Sequence, residues 1–172
     1  MQSRSKQITV CALLAAIGLI LGYIESFIVI PVGIPGIKIG LANAAAVIAL
    51  FMFGPVQALF VQAVRVILSS LLFGSAAGFM YSISGAALAY IVMLIMAALG
   101  FSVISASTGG GIIHNIAQVF VAYLVIGNTS VFLYLPVLCL SGVFAGVITG
   151  FLSDMIIKRL YKITGSKRED LK

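Results

Sequence analysis

The hydrophobic pattern is a series of long apolar runs broken by short clusters of glycine, proline and small polar residues. The first run covers residues 8–30 and ends at Pro31-Val-Gly-Ile-Pro-Gly-Ile-Lys38, where two prolines and two glycines break a helix. A shorter second run, 39–53, turns at Gly54-Pro55. The third covers 56–73 and is followed by Gly74-Ser-Ala-Ala-Gly78; the fourth covers 79–99. Residues 102–111, rich in Ser, Thr and Gly, follow the fourth run, and Gly109-Gly110-Gly111 stands at the start of the fifth helix. The fifth run, 111–126, stops before Gly127-Asn128-Thr129, and the sixth covers 131–157. Helices of about 20 apolar residues span the hydrocarbon core of a bilayer. The pattern therefore predicts an all-α integral membrane protein, a compact bundle of six transmembrane helices. The second run is the exception, because about 15 residues cross only where the segment is re-entrant or the bilayer thins.

Composition agrees with this reading. The 172 residues are 62% hydrophobic and 8% charged, with mean hydropathy +1.26, whereas a soluble domain carries about a quarter charged residues. The length suits a single transmembrane domain over 1–172 and leaves no room for a separate soluble one. The net charge of +6 lies at the ends: Arg4 and Lys6 precede the first run, and Lys158, Arg159, Lys162, Lys167, Arg168 and Lys172 close the last. Flanking cations of this kind mark cytoplasmic ends of spans, and they argue against nucleic acid as a partner. Both termini are therefore expected in the cytoplasm, with 158–172 as a basic tail and the loops 31–38, 74–78 and 127–130 outside. The first run is too long for the core of a cleaved signal, about 7–15 residues, and is expected to remain as a span.

Between Gln7 and Ser153 the permanent charges are Glu25, Lys38 and Arg65, with one histidine, His114. An ionisable group at mid-bilayer costs about 2.5–3.5 kcal/mol on the insertion scale, which makes these residues the first candidates for function. Arg65 lies near the middle of the third span, with Gln62 and Ser69 on the same helical face. Glu25 lies in the outward third of the first span, Lys38 at the outer mouth of the second, and Asn43 about one turn deeper. These four residues predict an outward-opening polar pocket. The competing reading is an ion pair of Glu25 with Arg65 or Lys38 that fixes helix register. If Glu25 neutralises one cation, another remains, which favours an anionic or partly anionic ligand.

A second polar group, His114, Asn115 and Gln118, follows the triple glycine. His114 and Gln118 share a face, suited either to contacting a ligand or proton path or to interhelical hydrogen bonds. A lone histidine with no Cys or acidic neighbour is not a zinc site. Cys11 and Cys139 lie within apolar runs, against a disulfide or a metal centre. Small residues recur at four-residue spacing in Ala12/Ala16, Gly18/Gly22 and Gly142/Gly146/Gly150, a pattern for close helix packing. The sequence has no P-loop, no Gly-x-Ser-x-Gly and no clustered carboxylates for magnesium. No catalytic residue is assigned, no cofactor is required, and no enzymatic activity is expected.

At Gly36-Ile-Lys-Ile-Gly-Leu-Ala-Asn43, Arg65, Phe79-Met-Tyr-Ser-Ile-Ser-Gly85, His114-Asn-Ile-Ala-Gln118 and Tyr134-Leu-Pro136, the chain resembles a known family. These are the small bacterial membrane proteins labelled heptaprenyl diphosphate synthase component I, also called the Gx transporter family. The resemblance covers nearly the whole chain and implies the bacterial cytoplasmic membrane. The label implies prenyl-chain synthesis, although the aspartate-rich motifs of such an enzyme are absent here. More distantly, six spans with both ends inside resemble the substrate-binding S components of energy-coupling-factor transporters. That resemblance implies an outward-facing ligand site. It also implies an Ala-x-x-x-Ala motif in the first helix that meets a transmembrane coupling subunit, matched by Ala12 and Ala16.

Two functions follow as expectations. The first is an S-component-like protein that binds a small anionic or amphipathic molecule, with ATP hydrolysis supplied by separate subunits. Arg65 and Lys38 would attract the anionic part, Glu25 and Asn43 would orient it, and His114, Asn115 and Gln118 would line the site. The alternative is a non-transporting membrane partner of a redox system, holding a quinone, isoprenoid or flavin-type ligand.

Overall fold

The computed structural model describes residues 4–27, 40–73 and 76–164. Six α-helices follow one another: α1 (Arg4–Phe27), α2 (Leu41–Phe53), α3 (Pro55–Phe73), α4 (Ala76–Ala98), α5 (Val103–Ile126) and α6 (Leu135–Thr164). A 3-10 turn, Thr129–Tyr134, leads into α6. No strand occurs among the described residues. Five of the helices, all but α2, are long and apolar enough to cross a membrane, the composition of a multi-pass membrane protein.

Three boundaries differ from the expected ones. The fifth helix, expected to start at 111, starts at Val103. Ser102 caps the helix by accepting from the Ser105 N–H at 3.1 Å, and α5 runs unbroken through the triple glycine. A helical glycine costs about 1 kcal/mol relative to alanine, and here close packing offsets it. A Cβ at Gly109 or Gly110 would strike Met96 or Met93 on α4, and one at Gly111 would lie 2.5 Å from the Gly142 carbonyl oxygen on α6. The last run, expected over 131–157, is split into the 3-10 turn and a helix that continues to Thr164. Lys158, Arg159 and Lys162 therefore sit on helix and not in a free tail; Asp154 pairs with Lys158 one turn away. The second run is helical only over Leu41–Phe53, 13 residues. At 1.5 Å per residue that is about 20 Å, short of the roughly 30 Å hydrocarbon core. The end of the first run (28–30), the loop 31–38 with Lys38, and residues 165–172 lie outside the described residues.

The position of α2 explains how so short a helix is tolerated. It packs against α1, α3 and α6 and touches α4 and α5, while α5 lies between α4 and α6. Nine of its 13 residues are buried. An unsatisfied backbone group in an apolar medium costs several kcal/mol, so both ends of α2 need partners from the protein. At the C-terminal end the Tyr161 hydroxyl donates to the Phe51 carbonyl at 3.3 Å, and Gly54, at φ 101°, turns the chain into α3. At the N-terminal end Thr149 Oγ1 of α6 donates to the Gly40 carbonyl at 3.2 Å, and the first amides find a carboxylate described below.

The two halves of the bundle differ. Toward the start of α1 and the end of α6, Cys11, Ala15, Val47, Leu50, Met93 and Ile157 form a continuous apolar core. Toward the opposite ends of these helices the bundle is hollow.

Candidate functional site

The hollow half holds a cavity of about 370 Å3, lined by parts of all six helices. It lies where the second halves of α1 and α3 face the N-terminal parts of α2, α4 and α6 and the middle of α5. Its volume is at the small end of the range for ligand cavities, about 300–1,000 Å3. Of the predicted site residues, Glu25, Asn43, Arg65, His114, Asn115 and Gln118 all line it. Lys38 lies outside the described residues. Ala12 and Ala16 lie elsewhere, exposed on the outer face of α1.

Arg65 reaches the cavity from the middle of α3. Its Nη2 donates to Asn43 Oδ1 at 2.9 Å and to Gln62 Oε1 at 3.1 Å. Gln62 is itself buried, and its Nε2 donates to the Ala86 carbonyl of α4 at 3.5 Å. The Arg65 Nε is buried and has no hydrogen-bond partner among the described residues. Asn43 and Gln62 are neutral, so the hydrogen-bond partners of this guanidinium carry no countercharge. Its aliphatic stem is accommodated by Gly18 of α1, where a Cβ would stand 3.2 Å from Arg65 Cδ.

Glu25, 5% exposed, does not form the ion pair with Arg65 that the competing reading offered, and a pair with Lys38 lies outside the described residues; among those the salt bridge is that of Lys158 with Asp154. Its oxygens instead accept from the first amides of α2, Leu41 N–H at 3.0 Å and Ala42 N–H at 3.4 Å. The physical reason is that α2 begins inside the bundle. Its first amides have no intrahelical acceptor, and the Gly40 N-cap has no side chain to supply one.

His114, Asn115 and Gln118 join the same cavity and do not form a separate cluster. The His114 ring stacks over Gly85 of α4, where a Cβ would lie 2.8 Å from the ring. Asn115 ties α5 to α6: its Nδ2 donates to the Leu138 carbonyl at 2.6 Å and to Ser141 Oγ at 3.2 Å. Residues that sequence reasoning missed include Ser26, Ser70 and Ser82 on the wall and the aromatic pair Tyr23–Phe73, with ring centroids 4.4 Å apart. Serines and aromatics are common in apolar spans, and nothing in their spacing separated these from the rest. Gly85 was marked only as part of a motif.

Chemically, the site offers one guanidinium, amide and hydroxyl groups, an imidazole and an aromatic edge inside an apolar bundle. No group of three or more His, Cys, Asp or Glu side chains able to hold a metal occurs among the described residues.

No curated protein matches the sequence. Among solved structures, the fold is similar to that of a chain described as the S component of a bacterial ECF transporter. The TM-score is 0.68 and the identity 21%, over 95% of this chain and 100% of that one. At that identity the likeness shows a shared fold. The family described as heptaprenyl diphosphate synthase component I matches residues 14–156, and over that length the chain belongs to it.

Proposed function

We propose that this is a membrane substrate-binding protein of the S-component kind, which takes a small anionic or amphipathic molecule into the cavity at Arg65. The observation that carries the reading is the state of Arg65: a guanidinium in an apolar bundle, on a cavity wall, whose hydrogen-bond partners among the described residues are neutral amides. A cation held in an apolar bundle by neutral partners is costly, and an anionic ligand at the guanidinium would lower that cost. Asn43 holds the guanidinium toward the cavity, and Gln118 and His114 are placed to orient the rest of the molecule. The shared fold with an S component supports a transport role. Ala12 and Ala16, exposed on α1, would meet a transmembrane coupling subunit whose ATPase partners supply energy. By the positive-inside rule the cationic ends favour cytoplasmic termini, and in that orientation the hollow half opens outward. No catalytic role is proposed: the one carboxylate on the described wall, Glu25, is engaged by backbone amides.

The second reading, a membrane partner of a quinone, isoprenoid or flavin-linked redox system, draws support from the family's description and from the Tyr23–Phe73 pair at the cavity. Mass spectrometry of small molecules that copurify with the protein separates the two. A water-soluble anion, lost in Arg65→Ala protein that folds normally, supports the first. A quinone or prenyl lipid retained by that variant supports the second.

A further inference from the structure

We infer that Glu25 is a built-in counter-anion: it fills the N-terminus of α2 and thereby restricts the cavity to ligands that present a single negative group. This rests on the reading of the cavity as an anion-binding site at Arg65.

The start of α2 is placed where an anion would bind. It lies inside the bundle, on the cavity wall, and its free amides belong to Leu41 and Ala42. The N-terminus of a helix carries roughly half a positive charge, felt most strongly in low-dielectric surroundings. Glu25, from the last turn of α1, occupies that position with both oxygens and is itself buried. The third amide, of Asn43, is already bonded to the Gly40 carbonyl at 2.8 Å. Thr149 of α6 holds the Gly40 carbonyl from the other side. The α2 terminus is thus pinned between α1 and α6, and its amides face a carboxylate of the chain and not the ligand.

A charge count then sets the ligand. Among the described groups, with His114 neutral, the wall carries the Arg65 cation, the Glu25 anion and about half a positive charge from α2. One negative group takes this excess of about half a positive charge to about half a negative one. A second negative group would leave the cavity strongly negative and would face Glu25 across it. Glu25 therefore acts twice, as a positioning residue for α2, and through Asn43 for Arg65, and as a filter against dianions. The sequence alone offers it as a ligand-orienting group; its contacts are with the protein's own backbone.

Benzoate and phthalate share a ring and differ in charge, so they are suitable probes for protein in lipid nanodiscs, with binding measured by calorimetry. The expected result is that wild type binds benzoate at least tenfold more tightly than phthalate, and that the near-isosteric Glu25→Gln shifts the ratio at least tenfold toward phthalate. An unchanged ratio in Glu25→Gln, with Arg65-dependent binding intact, overturns the filter and leaves the anion site standing. Failure of both probes to bind wild type in an Arg65-dependent manner overturns the anion site and the filter together. Amide exchange judges the cap independently of any ligand. Glu25→Ala should speed exchange at Leu41 and Ala42 at least tenfold, Glu25→Gln less, and Arg65→Gln not at all. Unchanged protection in Glu25→Ala overturns the assignment.

Discussion

Arg65 Nη2 lies 2.9 Å from Asn43 Oδ1, so the one described cation between Gln7 and Ser153 is held by a neutral amide on the shortest helix of the bundle. This contact joins α3 to α2 at the cavity wall. The aim of the guanidinium therefore depends on where α2 begins, while α2 itself is held by Glu25 and Thr149.

Arg65→Lys should keep the charge and lose much of the affinity. A lysine ammonium is a flexible point charge and cannot hold two amide oxygens in the fixed geometry of one guanidinium nitrogen. A hydrogen bond to a charged group contributes about 1.5–3 kcal/mol, so the affinity for benzoate should fall roughly 10- to 100-fold in Arg65→Gln, and by less in Arg65→Lys. Calorimetry on the two variants checks the order.

Gly85→Ala should displace the only histidine of the chain. The new Cβ would come within 2.8 Å of the His114 ring, and the ring has the cavity beside it as a place to move. The expected outcome is a changed imidazole resonance in the NMR spectrum of untagged protein and weaker probe binding. An unshifted resonance would show that the ring does not depend on the glycine.

Gly146→Ala should act on the fold and not on the site. Its Cβ would lie 2.5 Å from Thr108 Cα, a backbone atom that cannot swing aside. Overpacking of this kind costs about 1–3 kcal/mol, to be read as a lower midpoint in denaturing-detergent titration. Asn115→Leu removes bonds from α5 to Leu138 and Ser141 and should cost about 1 kcal/mol. The glycine variant should thus be the more damaging of the two.

Ala12→Trp and Ala16→Trp should leave the isolated protein as stable as wild type, because both positions are exposed on α1. They should abolish copurification with a coupling subunit, if that subunit docks on the small-residue strip. Retained copurification with both tryptophans in place would move the docking face elsewhere.

A fluorescent protein fused after Lys172 should fluoresce and a periplasmic alkaline phosphatase fusion there should be inactive, since flanking cations are retained in the cytoplasm. The reverse result would turn the cavity inward.

Sequence determined the membrane class, the six helices and the main polar groups of the cavity wall, because apolar run length and the cost of polar groups in hydrocarbon are local properties of the chain. Arg65, Asn43, His114 and Gln118 were legible for that reason. What tertiary structure alone decided is what each polar group meets. Whether Glu25 pairs with Arg65 or caps a helix depends on where α2 begins in the bundle, and that is set by packing around its 13 residues. The triple glycine reads locally as the start of a helix, but close approach of α4 and α6 places it inside one. The two polar groups, far apart along the chain, became one site only when α3 and α5 were placed around the same hollow.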